Sequence, residues 1–307
     1  MSYNYSIIIP HKDTPLLLER CLRSIPAWSE IQIIIIDDNS SPGTVDFSHF
    51  PGYGRENVEA IFTKEGKGAG YARNTGLSHA RGKWIIFADA DDFFTDDCFT
   101  ILNEYMDSHN DVIYFNARFV MSDDISKESK RGTYYNNFFN DSDAKNKLRY
   151  QSQVPWCKMI RHDFILAHTI QFDETKIAND AYFSCLVGVY AQNAAIDNRA
   201  IYYCTESVHS LAMSKQSSDN LIIRFNTSMK CNRLLRQEKI HYYLSPLVWC
   251  IPSAETKEWL PAKYFFEYLF FFRLQAFKEL YYAFSAIISQ KFRTRPSASD
   301  TSQSSTI

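Results

Sequence analysis

The chain predicts an α/β protein: a doubly wound, mostly parallel sheet in its first half, followed by a helical C-terminal extension. Two observations carry this reading. Short apolar, β-branched runs alternate with helix-periodic segments through the first 90 residues, which implies parallel strands joined by helical crossovers. Polar or glycine-rich clusters fall after the strand ends, where the ligand crevice of such sheets opens.

The elements follow in order. Tyr5 to Pro10 is a short apolar strand closed by proline, and Thr14-Pro15 then offers an N-cap and a first-turn proline. Leu18, Leu22 and Ile25 recur at helical spacing. Ile31 to Ile36, nearly all isoleucine, reads as a strand covered on both faces and runs into the polar loop Asp37 to Gly43. Val58 to Phe62 is a third strand. Gly66, Gly68 and Gly70 lead into a helix from about Tyr71 to Ala80, and Trp84 to Ala88 is a fourth strand ending in Asp89-Ala90-Asp91-Asp92. Val112 to Phe119 is a fifth, residues 122–150 read as a polar, irregular excursion, and residues 154–205 return to apolar segments with aromatic anchors. The expected organisation is a catalytic domain over 1–210, with the nucleotide side in 1–125 and the acceptor side in 126–210. A helical, aromatic-rich extension over 211–292 and a disordered tail over 293–307 follow.

Composition narrows the function classes. With 307 residues, 45% hydrophobic and 22% charged, the chain has the balance of a folded globular protein. A formal net charge of −2 gives no basic field for nucleic acid, so none is expected as a partner. Seven cysteines without a CxxC pair argue against a zinc ribbon, and their odd number suits reduced thiols in a cytoplasmic setting.

Three clusters carry chemistry. In Asp89-Ala90-Asp91-Asp92, carboxylates crowd a strand end, where repulsion is costly unless a cation offsets it. Hard divalent ions take oxygen ligands and are often shared with substrate phosphates, although a solvated turn with Asp92 capping a helix would read the same way. Asp37-Asp38 could accept from a nucleobase N–H or ribose hydroxyls, and is equally good turn chemistry. Gly70-Tyr71-Ala72-Arg73-Asn74-Thr75-Gly76 opens a helix whose N-terminus favours anions, with Arg73 able to reach a phosphate or to lock Asp89. No Gly-Lys-Ser/Thr follows, so this is not a Walker loop.

These segments together resemble the inverting family 2 glycosyltransferases of the GT-A fold. The matching residues are Ser6 to Pro10, Leu18 to Ser24, Ile36 to Ser41, Gly70 to Gly76, Ala80-Arg81-Gly82 and Asp89 to Asp92. The match is close over residues 4–125 and looser to about 210. The resemblance implies transfer of a sugar, with inversion, from a nucleoside-diphosphate sugar (UDP by default) to a carbohydrate or lipid-linked saccharide acceptor in bacterial surface polysaccharide or glycolipid assembly. It implies that Pro10, Lys12 and Asp13 line the nucleoside pocket and that Asp38 binds the base. Gly70 and Arg73 would serve the phosphate side, and Asp89 would meet the ribose or diphosphate. Asp91 would coordinate Mn²⁺ or Mg²⁺. Lys12, after His11, departs from the asparagine common in the family.

The family's later acidic motif, whose Asp is the catalytic base, is matched by Ala178-Asn179-Asp180-Ala181, with Asn179 where Glu is common. Trp156 to Arg161 resembles the segment that precedes it, which adds Trp156 and Lys158 to the donor side. Asp180 can also cap the apolar helix that follows, and Asp173 or Glu174 are alternative bases. His209 is more simply a loop residue. Two rivals are a non-catalytic nucleotide-sugar-binding module, which the intact Asp38, Asp89, Asp91 and Asp180 speak against, and a nucleotidyltransferase. The latter would carry a glycine-rich loop after strand one, where Ile9 to Asp13 stands instead.

The aromatic stretch from Pro261 to Phe292 reads either as a helix packed on the catalytic domain or as an interfacial anchor. Pro261 to Arg295 holds six basic and two acidic side chains, an excess that suits an anionic membrane surface. The corresponding location would be peripheral, on the inner face of the cytoplasmic membrane.

Overall fold

The computed structural model describes residues 3–129, 132–207, 217–246 and 262–273. In chain order the elements begin with β1 (Tyr3–His11), α1 (Pro15–Arg23), β2 (Ile31–Asp38), β3 (Val58–Thr63), α2 (Ala69–His79) and β4 (Gly82–Phe87). Next come β5 (Phe93–Phe94), α3 (Cys98–Asn103), β6 (Val112–Met121), α4 (Gly132–Phe139), α5 (Ala144–Gln151) and β7 (Lys158–Arg161). The remainder are α6 (His162–Ala167), α7 (Asn179–Tyr190), β8 (Ala194–Glu206), α8 (Ser218–Gln237) and α9 (Ala262–Phe272).

The strands form one sheet in the order β3-β2-β1-β4-β7-β6-β8-β5. The first four run parallel, as the alternating pattern requires, with Ile7 opposite both Ile33 and Ile86. Every residue of β2 is buried, so its isoleucine run is packed on both faces. The second half of the sheet is mixed. β7 lies antiparallel between β4 and β6, β8 is parallel to β6, and β5 is antiparallel to β8. Reversing only β7 leaves β6 and β8 pointing the same way as β4. The C-terminal ends of β1, β2, β4, β6 and β8 therefore share one edge of the sheet, and the polar loops gather there.

Residues 122–150 are not the irregular excursion the sequence suggests, since α4 and α5 lie within them. These helices are eight residues each; α5 buries only Leu148, and the aromatic pairs Tyr134-Tyr135 and Phe138-Phe139 of α4, though at helical spacing, span little more than one turn. Tyr135 of α4 packs between Phe119 and Trp156 and donates its hydroxyl to the Phe115 carbonyl, which seats the helix on β6. The expected N-cap at Thr14 makes no side-chain cap, but Pro15 does open α1.

The chain divides into two compact units, Met1–Lys215 with Asn226–Leu244 and Gln216–Phe225 with Ser245–Ile307. In the first, Cys231, Leu234 and Leu235 of α8 pack with Cys185 of α7. In the second, Phe225 meets Tyr264 edge-on at 5.2 Å between ring centroids. Tyr268, Phe271 and Phe272 are buried there while Phe266 and Phe270 are exposed. No helix among the described residues is long and apolar enough to cross a membrane. The predicted tail at 293–307, His209 and all of the aromatic stretch beyond Arg273 lie outside the described residues.

Candidate functional site

The two neighbouring carboxylates at the end of β2 have separate tasks. Asp37 is buried and accepts from His11 Nδ1 at 2.7 Å, Ser40 N at 2.9 Å and Ser40 Oγ at 2.5 Å. Burial alone would raise its carboxyl, but these hydrogen bonds outweigh it and hold the group below the usual carboxylate range. His11 Nε2 accepts the Thr14 amide at 3.2 Å, so the ring presents its proton at Nδ1. Asp37 and His11 thus brace the ends of β1 and β2.

Asp38, also buried, takes the Gly68 amide at 2.8 Å on one oxygen, while its Oδ1 has no hydrogen-bond partner. A buried acceptor left without a donor is costly, and this one stands at the strand ends. Lys12 is half-exposed, its Nζ 4.0 Å from Asp38. Asp13, in the left-handed region at φ 55°, accepts the Ser41 amide at 2.7 Å and donates its own amide to Ser40 Oγ, which fixes the loop after β2. Pro10 pairs with Ile36 beside them.

At the next loop the glycines differ in purpose. Gly68 takes φ 93° at the start of α2 and turns its amide onto Asp38. Gly70 is needed for close approach: a Cβ there would stand 2.1 Å from the Asp173 carbonyl and 3.0 Å from Asn179 Cβ. It brings the segment before α7 onto α2. Arg73, one turn on and buried, spans the resulting seam. Its Nη1 donates to Asn179 Oδ1 at 2.9 Å and its Nη2 to Asp89 Oδ1 at 2.6 Å. Asn74 completes the join through the Phe172 backbone and Glu174.

The acidic cluster after β4 is anchored from two sides. The Asp89 amide donates to the Tyr202 hydroxyl at 2.8 Å. The Asp91 carbonyl receives Arg20 Nη2 at 2.5 Å and Thr205 Oγ1 at 2.8 Å, while residue Asp91 itself is exposed. Asp92 is buried and takes the Thr205 amide at 2.7 Å. Burial first, then the charges of Asp91 and Asp89, push its carboxyl well above the usual range. Asp92 is therefore a structural anchor, whereas Asp89 is partly exposed and Asp91 is exposed.

Asp180 stands in the first turn of α7, after Ala178 at φ 52°. Ala178 holds the N-cap position, so Asp180, the second residue of the helix, is not its N-cap. Burial pushes its carboxyl above the usual range; Asp89 adds to that shift, and the positive charges of Arg73 and Lys158 oppose it. Of the alternative bases, Asp173 is paired with Lys230 at 2.6 Å and Glu174 accepts from Asn74.

Two expected donor-side residues lie behind the site rather than in it. Lys158 is 1% exposed, with its ammonium directed to the Ser152 and Val154 carbonyls and Ser184 Oγ. Burial lowers it to about 7, against the pull of Asp180. Trp156 is buried against Phe119 and Tyr135 and stacks on Tyr202, the residue that holds the Asp89 amide. Sequence reasoning also missed Arg20, Thr205 and Tyr202, which are remote in the chain from the loop they fix.

Among the described residues no three His, Cys, Asp or Glu side chains gather as a metal cage. The exposed Asp91 beside Asp89 fits a hard cation of another kind, one whose remaining ligands are phosphate oxygens and water.

The model of the family described as Glycosyl transferase family 2 matches residues 6–166. The chain belongs to this family. It is 27% identical over 214 residues to EpsH of Bacillus subtilis, which is named as a glycosyltransferase, covering 64% of this chain and 59% of that protein. Among solved structures, Staphylococcus aureus TarS in complex with UDP-GlcNAc has a TM-score of 0.59 at 20% identity, covering 74% of this chain and 66% of that one. The mannosyltransferase PcManGT of Pyrobaculum calidifontis, in complex with GDP-Man and Mn²⁺, has a TM-score of 0.51 at 15% identity, covering 80% and 67%. The fold is the GT-A fold of these glycosyltransferases.

Proposed function

We propose that this chain is an inverting glycosyltransferase that moves a sugar from a UDP-sugar to a hydroxyl of a carbohydrate or lipid-linked saccharide in surface polysaccharide or glycolipid assembly. The observation that carries the reading is the Arg73 bridge, which joins Asp89 at the end of β4 to Asn179, the neighbour of Asp180. One guanidinium thereby ties the proposed donor-side carboxylate Asp89 to the residue next to the proposed base.

In this reading the unpartnered Asp38 Oδ1 accepts the nucleobase N–H, with Pro10, Lys12 and Asp13 shaping the pocket around it. Arg73 and Asp89 orient the ribose and diphosphate. Asp91 would hold Mn²⁺ or Mg²⁺, which when bound neutralises charge on the departing diphosphate. Asp180 removes the proton of the acceptor hydroxyl as its oxygen bonds to the anomeric carbon, and the bond from that carbon to the diphosphate oxygen breaks on the opposite face. Its raised carboxyl makes it a stronger base than a solvated aspartate. TarS with UDP-GlcNAc and PcManGT with GDP-Man and Mn²⁺ support the donor class and the metal. The exposed Phe266 and Phe270 of α9, with exposed Lys263 and Arg273 at either end of the helix, support peripheral contact with an anionic membrane.

A thermal-shift panel of UDP, GDP, dTDP and CMP, each with and without Mn²⁺, tests the reading, because a ligand of the folded state raises its melting temperature. UDP with Mn²⁺ is expected to give the largest rise. Equal, negligible shifts for all would overturn it.

A further inference from the structure

One buried cation stands outside the proposed donor chemistry. Lys158, the first residue of β7, is 1% exposed, and its ammonium donates to the Ser152 and Val154 carbonyls and, at 3.0 Å, to Ser184 Oγ. All three acceptors are neutral. Sealing an ammonium from water is costly, and neutral oxygens satisfy its protons without offsetting its charge. An apolar side chain of similar length would fill the space without that cost, so packing does not account for a lysine here.

Its attachment to α7 does. Ser184 is itself buried, donates its hydroxyl to the Val154 carbonyl at 3.0 Å, and lies four residues after Asp180, one turn along the same face of the helix. The ammonium is thus fastened one turn from the proposed base. The other charges acting on Asp180 are Arg73 of α2 and Asp89 after β4, which are bonded to each other at 2.6 Å and largely offset one another. Asp173, before α7, is paired with Lys230 of α8.

Around Lys158 the remaining groups are neutral or engaged elsewhere. Burial holds the Cys157 thiol and the Tyr114 phenol, whose ring lies 5.7 Å from Nζ, above their usual ranges and therefore protonated. Arg149 and Tyr150 of α5 and Cys185 of α7 adjoin that phenol, and the Arg149 guanidinium is directed to the Gly188 and Ala191 carbonyls. Asp180 is the carboxylate that acts on Lys158.

We propose that Lys158 is a positioning residue for Asp180: it fastens β7 to α7 at Ser184 and supplies there the positive charge that keeps the base ionised at the acid end of its working range. The use of that carboxylate as a base rests on the glycosyltransferase reading, whereas the coupling of the two side chains does not. Below about pH 7 Lys158 carries its proton and holds the Asp180 carboxyl down; above it the lysine is neutral and that hold ends.

Carbon-13 NMR of the Asp180 carboxyl, assigned by its loss in Asp180→Asn, tests the coupling without activity. In Lys158→Met that carboxyl should titrate at higher pH than in the native protein. Coupling is reciprocal, so in Asp180→Asn the Lys158 ammonium, followed through its ε-carbon, should lose its proton below about 7; this arm stands even if Lys158→Met does not fold. An opposite charge in contact moves a carboxyl by about 1–3 units, and one a turn away by less, so kcat of Lys158→Met should fall about 3–10-fold on the acid limb. It should rejoin the native value above about pH 8, where Lys158 is neutral in the native protein as well, with donor KM unchanged throughout. A lysine that only packs would lower kcat at every pH. An Asp180 carboxyl unmoved by Lys158→Met, a Lys158 titration unmoved by Asp180→Asn, or a loss of kcat independent of pH would overturn the proposal. A shifted Asp180 titration with an unshifted acid limb would leave the coupling standing and remove Asp180 as the base.

Discussion

Arg73→Lys keeps the positive charge and removes the fork, so it isolates what the guanidinium geometry contributes. The native side chain is buried and serves two acceptors that come from distant parts of the chain, Asn179 at 2.9 Å and Asp89 at 2.6 Å. A lysine ammonium at that point can meet one of them. The bond to Asn179 is buried and should carry about 1.5–3 kcal/mol, the usual worth of a hydrogen bond to a charged group. The Asp89 carboxylate is 31% exposed, so its share is discounted toward the low end of that range. Arg73→Lys should therefore cost about 1.5–2 kcal/mol, and Arg73→Met, which leaves Asp89 uncompensated next to Asp92, about 3–5 kcal/mol. Urea unfolding reads the stability, and a UDP titration with Mn²⁺ should show weaker donor binding in step with it. Arg73→Met should also raise the acid limit of activity, because Arg73 is a positive charge that holds the Asp180 carboxyl down. Wild-type stability and UDP affinity in Arg73→Lys would refute the claim that this arginine clamps the two halves of the site.

Asp180→Asn should lower kcat by about 10²–10⁴-fold with UDP affinity intact, since a base acts in the transition state. Its raised carboxyl puts the acid limb of the pH–rate profile above the ordinary carboxylate range, with activity lost as pH falls through it; a limb at the ordinary aspartate value would remove it as the base. Asp91→Ala should abolish the Mn²⁺-dependent part of UDP binding while folding normally, and persistence of that part would assign the metal elsewhere. Asp38→Ala should weaken UDP by about 1.5–3 kcal/mol and raise donor KM more than it lowers kcat, which isothermal titration and initial rates check. Lys158, lowered to about 7 by burial, binds its proton more weakly folded than unfolded, so its contribution grows as pH rises above about 7 and is lost as pH falls through it. Lys158→Met should flatten that part of the stability–pH curve, and parallel curves for the two proteins would contradict the assignment.

The first half of the fold was legible because β1, β2 and β4 are buried along most of their length and therefore read as nearly unbroken apolar runs. Ile31 to Ile36 is the clearest, and β2 extends it by only the two aspartates. The second half was not, because its strands are set by partners remote in the chain. β7 is four residues long, and its antiparallel placement depends on β4 and β6, which no local pattern encodes. The same contrast holds in the site. Asp89, Asp91 and Asp38 stand at strand ends and announce themselves by charge. Lys158 was misplaced since a lysine in sequence gives no sign of being 1% exposed with three oxygen acceptors around its nitrogen. Arg20 went unseen for the opposite reason: a helical arginine is ordinary until its contact with Asp91, 71 residues away, is known.

The roles of the glycines and arginines together explain how two halves of different architecture make one site. Gly70 admits the Asp173 carbonyl to within a distance that any side chain would forbid, so the segment before α7 can lie directly on α2. That approach brings Asn179 within reach of Arg73, which is already committed to Asp89. A larger residue at 70 would push α7 outward, lengthen both bonds of the guanidinium and carry Asp180 away from the donor carboxylates at once. The effect on turnover would then exceed the effect on nucleotide binding, because Asp38 and its neighbours on β1 and β2 are braced separately through Asp37 and His11. The proposed donor pocket thus lies in the parallel half of the sheet, and the proposed base is positioned by how closely the second half is allowed to approach it.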